Sequence, residues 1–446
     1  MKLENYGFIG DMHSAALVGS NGSIDWLCVP RFDSNACFAA LLGDEKNGCW
    51  RIATRDGPDH GRQSYRADTL VLDTVFETES GAVRLSDCMP PQGPCRDVVR
   101  VVEGLRGTVA MAMRLVVRPD YGRTVPWVWK DQAGLNIVAG PDAFVLRTNL
   151  ETHGEGLSTV SEFAISEGER KTFVLSWHPS HERPPEPIDA VRAMERTELF
   201  WREWCSRCAY KGEWREAVMR SLLTLKALTF APTGGIVAAP TTSLPEHLGG
   251  VRNWDYRYCW IRDATFTLLS LMEAGYTEEA SAWSLWLLRA VAGDPAQLQI
   301  MYGAAGERML PEIELRHLPG YENSAPVRIG NAAAEQFQLD VYGELMDAMH
   351  VARTVGLKTS ADAWHLQRHI LEFVAAHWMK PDEGIWEIRG PRRHFTHSKV
   401  MAWVAVDRGV KAVEEFNLEG DLERWRALRQ TIHDDVCARG INAKCG

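Results

Sequence analysis

The sequence predicts a two-part protein, an antiparallel β-sandwich followed by a helical domain. Three observations predict it. Short apolar runs with a period of two fill the first part of the chain, separated by turn residues. A proline-rich stretch, HPSHERPPEPID at 178–189, interrupts that pattern as a stiff linker. Beyond it, apolar residues recur at helical spacing. These shifts set the expected boundaries: a β-domain over 1–183, a linker and helix over 184–212, and a helical domain over 213–446.

Taken in order, Asn21-Gly22 separates AALVGS from SIDWLCV and predicts a hairpin. Ser80-Gly81 does the same between LVLDTVFETE and AVRLSDC. In VAMAMRLVV, Val109, Met111, Met113, Leu115 and Val117 share one face. LNIVAG, AFVLRTNL and TFVLSW continue the series, and many short strands joined by turns predict a sandwich. Helices are predicted over 190–208, 213–230, 262–274, 277–292, 333–355, 360–379, 397–416 and 420–438. Leu268, Leu271 and Met272 mark the apolar face of the third. Phe337, Val341, Leu345 and Met349 mark that of the fifth. Long loops join some of these helices, and such loops are where sites are usually built.

A net charge of −10 argues against nucleic acid or an anionic membrane as partner. No run of 18 apolar residues is available to cross a membrane, and MKLENYGFIGD lacks an apolar leader. The ten cysteines are scattered, with Cys205 and Cys208 the only C-x-x-C, so reduced thiols in a cytoplasmic protein are expected. The motifs G-x-x-x-x-G-K-[ST], G-x-S-x-G and H-E-x-x-H do not occur. His394 and His397 have no third ligand nearby in sequence, so neither metal nor other cofactor is expected. Tryptophan is the outlier: 17 residues, well above the usual share, and indole faces stack on the C–H faces of sugar rings.

Three polar clusters lead into helices. In NWDYRYCWIRDA, residues 253–264, Trp254, Arg262 and Asp263 lie among further aromatics and acids just ahead of an apolar helix. Asp263 suits an N-cap, and Arg262 with Asp263 offers donors and acceptors for sugar hydroxyls. In GYENSAPVRIGNAAAEQFQLDVYGE, residues 320–344, Arg328, Asn331, Gln338 and Asp340 surround a helix start. Asn331 is placed either in a site or as the helix cap. On a continuous helix Gln338 and Asp340 stand about 200° apart, so at most one faces a site. In DEGIWEIRGPRRHFTHSKVMAW, residues 382–403, Glu387 follows Trp386, and an indole wall is one way to keep a general acid protonated. Asp382 and Glu383 read as solvated turn charges beside Pro381 and Gly384. Arg389, Arg392 and Arg393 fit a surface patch, a phosphate site or partners for carboxylates.

In order and spacing, these clusters resemble the bacterial branch of glycoside hydrolase family 15, the glucoamylases, glucodextranases and some trehalases. GFIGDMHSAALVGSNGSIDWLCVPRFDS resembles the trehalase-like N-terminal domain found there. The resemblance runs along essentially the whole chain. It implies an N-terminal β-supersandwich and an α/α barrel of six helical hairpins. It implies an inverting, exo-acting α-glucoside hydrolase of the glucoamylase type, with α,α-trehalase as the alternative. It implies Glu387 as general acid, and Arg262, Asp263, Trp386, Trp254, Arg328 and Asn331 as substrate contacts. The implied partner is an α-glucoside oligosaccharide or trehalose. The family's general base comes from a late motif like G-x-x-G-E-G-A-F, which does not occur in this sequence. The helices predicted after residue 213 are also fewer than six hairpins require. The expectation is therefore a C-terminally incomplete, open toroid, prone to self-association through bare apolar faces and impaired in turnover, or else a non-catalytic carbohydrate-binding fragment.

Overall fold

The computed structural model describes residues 1–93, 95–291, 295–358 and 360–441. The chain divides into two compact units. One comprises 1–231, 239–257 and 313–329; the other comprises 232–238, 258–312 and 330–446.

The first unit is built on antiparallel strands. Along its main path they lie in the order Tyr6–Gly10, Ala15–Gly19, Ser23–Cys28, Cys49–Thr54, Arg96–Val116, Arg170–Pro179, Asp142–Thr148, Gly134–Ala139 and Trp127–Asp131. The 21-residue strand Arg96–Val116 organises the rest. Its first half pairs with Arg170–Pro179 and Gly81–Cys88, its second half with Cys49–Thr54 and Ser158–Ser166. Val109, Met111, Met113 and Leu115 are all buried, as the period of two requires. They share one core with Trp50, Phe76, Phe144 and Phe173. The Asn21-Gly22 turn forms as expected, with Gly22 at φ +76°; a Cβ there would lie 2.1 Å from the Ile52 carbonyl oxygen.

The two long helices of this unit are α1 (Ala190–Ser206) and α2 (Arg215–Ala227). Asp189 caps α1 by accepting from the Arg192 N–H. Ala190, Ala193 and Met194 of α1 pack on Val99, Val101 and Val174 of the sheet.

The second unit is helical: α3 (Ile261–Glu273), α4 (Thr277–Ala290), α5 (Asp340–Thr354), α6 (Ala361–His377), α7 (Thr396–Phe416) and α8 (Leu422–Arg439). Alternate helices pack together, α3 on α5 and α5 on α7, with α4 against α3 and α6 and α8 against α7. Each helix of the row sits at the end of a long connection, so the loops leading into α3, α5 and α7 converge.

The helix expected over 333–355 is interrupted. Asn331 caps a short 3-10 turn, Ala332–Glu335, and α5 starts only at Asp340. Val341, Leu345 and Met349 form its buried face, but Phe337 precedes the helix. Gly343 lets α5 and α7 approach closely: a Cβ there would lie 2.2 Å from the Met401 carbonyl oxygen. Gly343→Ala is therefore expected to destabilise by about 1–3 kcal/mol, despite alanine's better helix propensity. A shift in urea midpoint without a change in slope is the readout; equal or greater stability would contradict this packing.

Candidate active site

The three loops bring one polar constellation together at the start of α3. Trp260, expected only as one aromatic among several, is the residue preceding that helix, and it is buried. A short pairing of Cys259–Trp260 with Met301–Tyr302 fixes its backbone. Its indole Nε1–H donates to Glu387 Oε1 at 2.9 Å. Arg262, one residue into α3, donates from Nη2 to the same Oε1 at 3.2 Å. Its Nη1 donates to Gln338 Oε1 and to Asp340 Oδ2, both at 3.1 Å.

Arg262 thus ties the α3 start to both other loops. Burial lowers its pKa, but the carboxylates of Asp340, Asp263 and Glu387 outweigh that and hold it above the ordinary value. Gln338 and Asp340 both reach Arg262, contrary to the expectation that only one faces the site. The 200° argument fails because Gln338 lies before the helix begins.

Glu387 sits in a turn closed by its own N–H to the Gly384 carbonyl. Its backbone has φ +50°, a left-handed conformation that L-residues with long side chains rarely adopt. Such an outlier is held by its surroundings and points to a function for the side chain. The turn sends neighbouring side chains apart. Trp386 is 72% exposed, so it does not supply the apolar wall expected of it; the indole against Glu387 is that of Trp260.

Asp382 and Glu383 are not solvated turn charges. Asp382 is fully buried, and its Oδ2 accepts from the Leu339 N–H at the start of α5. Glu383 accepts from the Phe337 N–H and from Arg392 Nε, each at 2.9 Å. The two acids clamp the Glu387 loop to the loop before α5. Asp382→Ala is expected to cost about 1–3 kcal/mol, because it orphans a buried N–H. Chemical denaturation checks this, and an unchanged midpoint would contradict it.

Arg389 pairs with Glu312 at 3.1 Å and reaches Asn331 Oδ1 at 3.3 Å. Of the three readings of the basic loop, Arg389 and Arg392 therefore take the carboxylate-partner one. Asn331 is buried and caps the 3-10 turn.

Asp263 is the third residue of α3 rather than its N-cap. The protein around it pushes its carboxyl above the ordinary range, against the pull of Arg262. Trp254 and Arg328 belong to the other compact unit, where the Arg328 guanidinium stacks over the Trp254 ring at 4.5 Å.

One acid was missed from sequence. Glu344, one turn beyond Asp340 on α5, is buried, and its pKa is raised to about 7, first by burial and then by Asp340. Its i+4 spacing from Asp340 was the available signal. A carboxyl raised in the fold contributes stability that is full below its unfolded value of 4.5 and is lost as pH climbs through about 7. Glu344→Gln should flatten stability over that window, so that its stability relative to wild type is greater at pH 8 than at pH 5. Urea midpoints at pH 5 and pH 8 measure this; parallel shifts in both proteins would contradict it.

Among the described residues, no helix is long and apolar enough to cross a membrane, and no group of three His, Cys, Asp or Glu side chains is placed to hold a metal.

Residues 212–445 match the family model described as glycosyl hydrolases family 15, and residues 1–177 match the trehalase-like N-terminal model. The trehalase of Mycolicibacterium smegmatis is 36% identical over 474 residues, covering 99% of this chain and 70% of that protein. The trehalase of Mycobacterium tuberculosis is 35% identical over 477 residues, covering 99% and 69%. The fold is similar to that of a bacterial glucoamylase complexed with acarbose, with a TM-score of 0.66 at 12% identity, covering 97% of this chain and 66% of that one. The chain joins an N-terminal antiparallel sheet to a helical unit carrying the Arg262–Glu387 constellation, and it belongs to glycosyl hydrolases family 15.

Proposed function

We propose that this chain acts on α,α-trehalose, with Glu387 as the general acid. The observation that carries the acid assignment is the pair of donors on one oxygen. Trp260 and Arg262 both donate to Oε1, so the proton of a neutral Glu387 resides on Oε2. That proton is then available to the oxygen leaving the glycosidic bond.

Arg262 and Asp263, both on the first turn of α3, hold the hydroxyls of the bound glucosyl unit, with Asn331 and the exposed Trp386 indole at the edge of the same loops. Water then attacks the anomeric carbon from the opposite face, with inversion. This requires a second carboxylate roughly 6.5–9.5 Å from Glu387. The row of α3, α5 and α7, backed by α4, α6 and α8, is read as part of the six-hairpin toroid.

The choice of trehalose over a glucoamylase-type oligosaccharide rests on the curated relatives, which are trehalases at 35–36% identity. A coupled glucose assay with trehalose, maltose and maltooligosaccharides tests it. Trehalose is expected to be turned over fastest; a preference for maltooligosaccharides would restore the glucoamylase reading.

A further inference from the structure

Arg353 lies in the last turn of α5, about 20 Å along the helix from Asp340. It is only 6% exposed. Nη1 donates to Gln367 Oε1 at 2.7 Å. Nε and Nη2, which form the opposite edge of the guanidinium, have no partner among the described residues. The aromatic rings of Trp364 and Phe416 flank it at 5.9 and 5.6 Å. Burial lowers its pKa to about 10, with no carboxylate among the described residues to offset it.

Other buried arginines of this chain treat that edge differently. Arg100 places Nε and Nη2 on the two oxygens of Asp87, and Arg257 places them on those of Asp255. A buried guanidinium without a counter-charge is costly, and the two parallel N–H groups match an anion accepting both. Two ring nitrogens on the adjoining aromatic contacts are also unpartnered. His350, one turn earlier on α5, is buried with Nδ1 unpartnered and stands edge-on to Phe416 at 5.9 Å. Trp425 Nε1 is likewise unpartnered, and its ring packs edge-on to Trp364 at 6.2 Å.

We infer that the Nε–Nη2 edge of Arg353, between α5, α6, α7 and α8, binds a small monovalent anion: a halide, or a planar oxyanion such as nitrate or formate. The aromatic walls exclude a strongly hydrated dianion, and the fork fixes two N–H contacts on one small group. The ion acts as a structural counter-charge, independent of catalysis.

The test uses the whole chain with bromide as probe. Crystals soaked in sodium bromide should show an anomalous peak in contact with Arg353 Nε and Nη2. The melting temperature should rise by on the order of 2 °C per tenfold increase in bromide, against sodium gluconate at equal ionic strength. That increment should vanish in Arg353→Met, and in Arg353→Lys, which keeps the charge but loses the fork. Water in place of bromide on that edge would overturn the inference. So would equal bromide increments in wild type and both variants.

Discussion

Glu387→Gln is expected to lower the rate of glucose release from trehalose by about 10²–10⁴-fold. Glutamine keeps the length of the side chain and an oxygen able to accept from Trp260 and Arg262, so the turn and its φ of +50° are retained. What it loses is the transferable proton. The variant should therefore melt within a degree or two of wild type and bind trehalose with similar affinity. This split between binding and rate is what separates a proton donor from a residue that merely shapes the pocket. A variant with the wild-type rate would refute the acid assignment. One that loses binding and rate together would reduce Glu387 to a sugar contact.

Arg262→Ala is expected to have the largest effect on the fold of the site. It removes the ion pair of the fully buried Asp340, a donor to Gln338 and one of the two donors on Glu387. Breaking a buried pair by deleting one partner costs about 3–5 kcal/mol, because the remaining charge has lost its counter-ion. Turnover should fall at least as far as in Glu387→Gln. Arg262→Lys should recover part of the stability and little of the rate, since an ammonium restores charge but not the planar donors spanning three acceptors. Denaturation midpoints and initial rates on the three proteins check both. An alanine variant as stable as wild type would show that the buried cluster does not depend on this cation.

The local half of this account was legible in the sequence. Period-two alternation placed Val109 to Leu115 in the core of the antiparallel sheet, and the Asn21-Gly22 and Ser80-Gly81 turns fell where expected. The Arg262 and Glu387 loops were singled out by crowding of charge and indole before apolar helices. What sequence hid is non-local. Trp386 is adjacent to Glu387 in the chain, yet the indole bonded to that acid is Trp260, 127 positions earlier. Trp254 lies within the same motif as Arg262, but the division between the two compact units falls at Arg257 and Tyr258. Asp382 and Glu383 carry the composition of a solvated turn. Only the fold shows that they receive the N–H groups ahead of α5. Helical periodicity was carried back too far at Gln338, where a 3-10 turn and an extended stretch precede the helix. Composition and periodicity carried no information about which loop meets which.

The central claim is that the Glu387 constellation supplies the acid of an inverting trehalase. The most direct measurement follows the anomers formed from trehalose by proton NMR at early times, before mutarotation. Inversion at one glucosyl unit predicts one β-glucose and one α-glucose per turnover, with both signals lost in Glu387→Gln. Two α-glucose molecules per turnover, or folded protein that binds trehalose and releases no glucose, would contradict it.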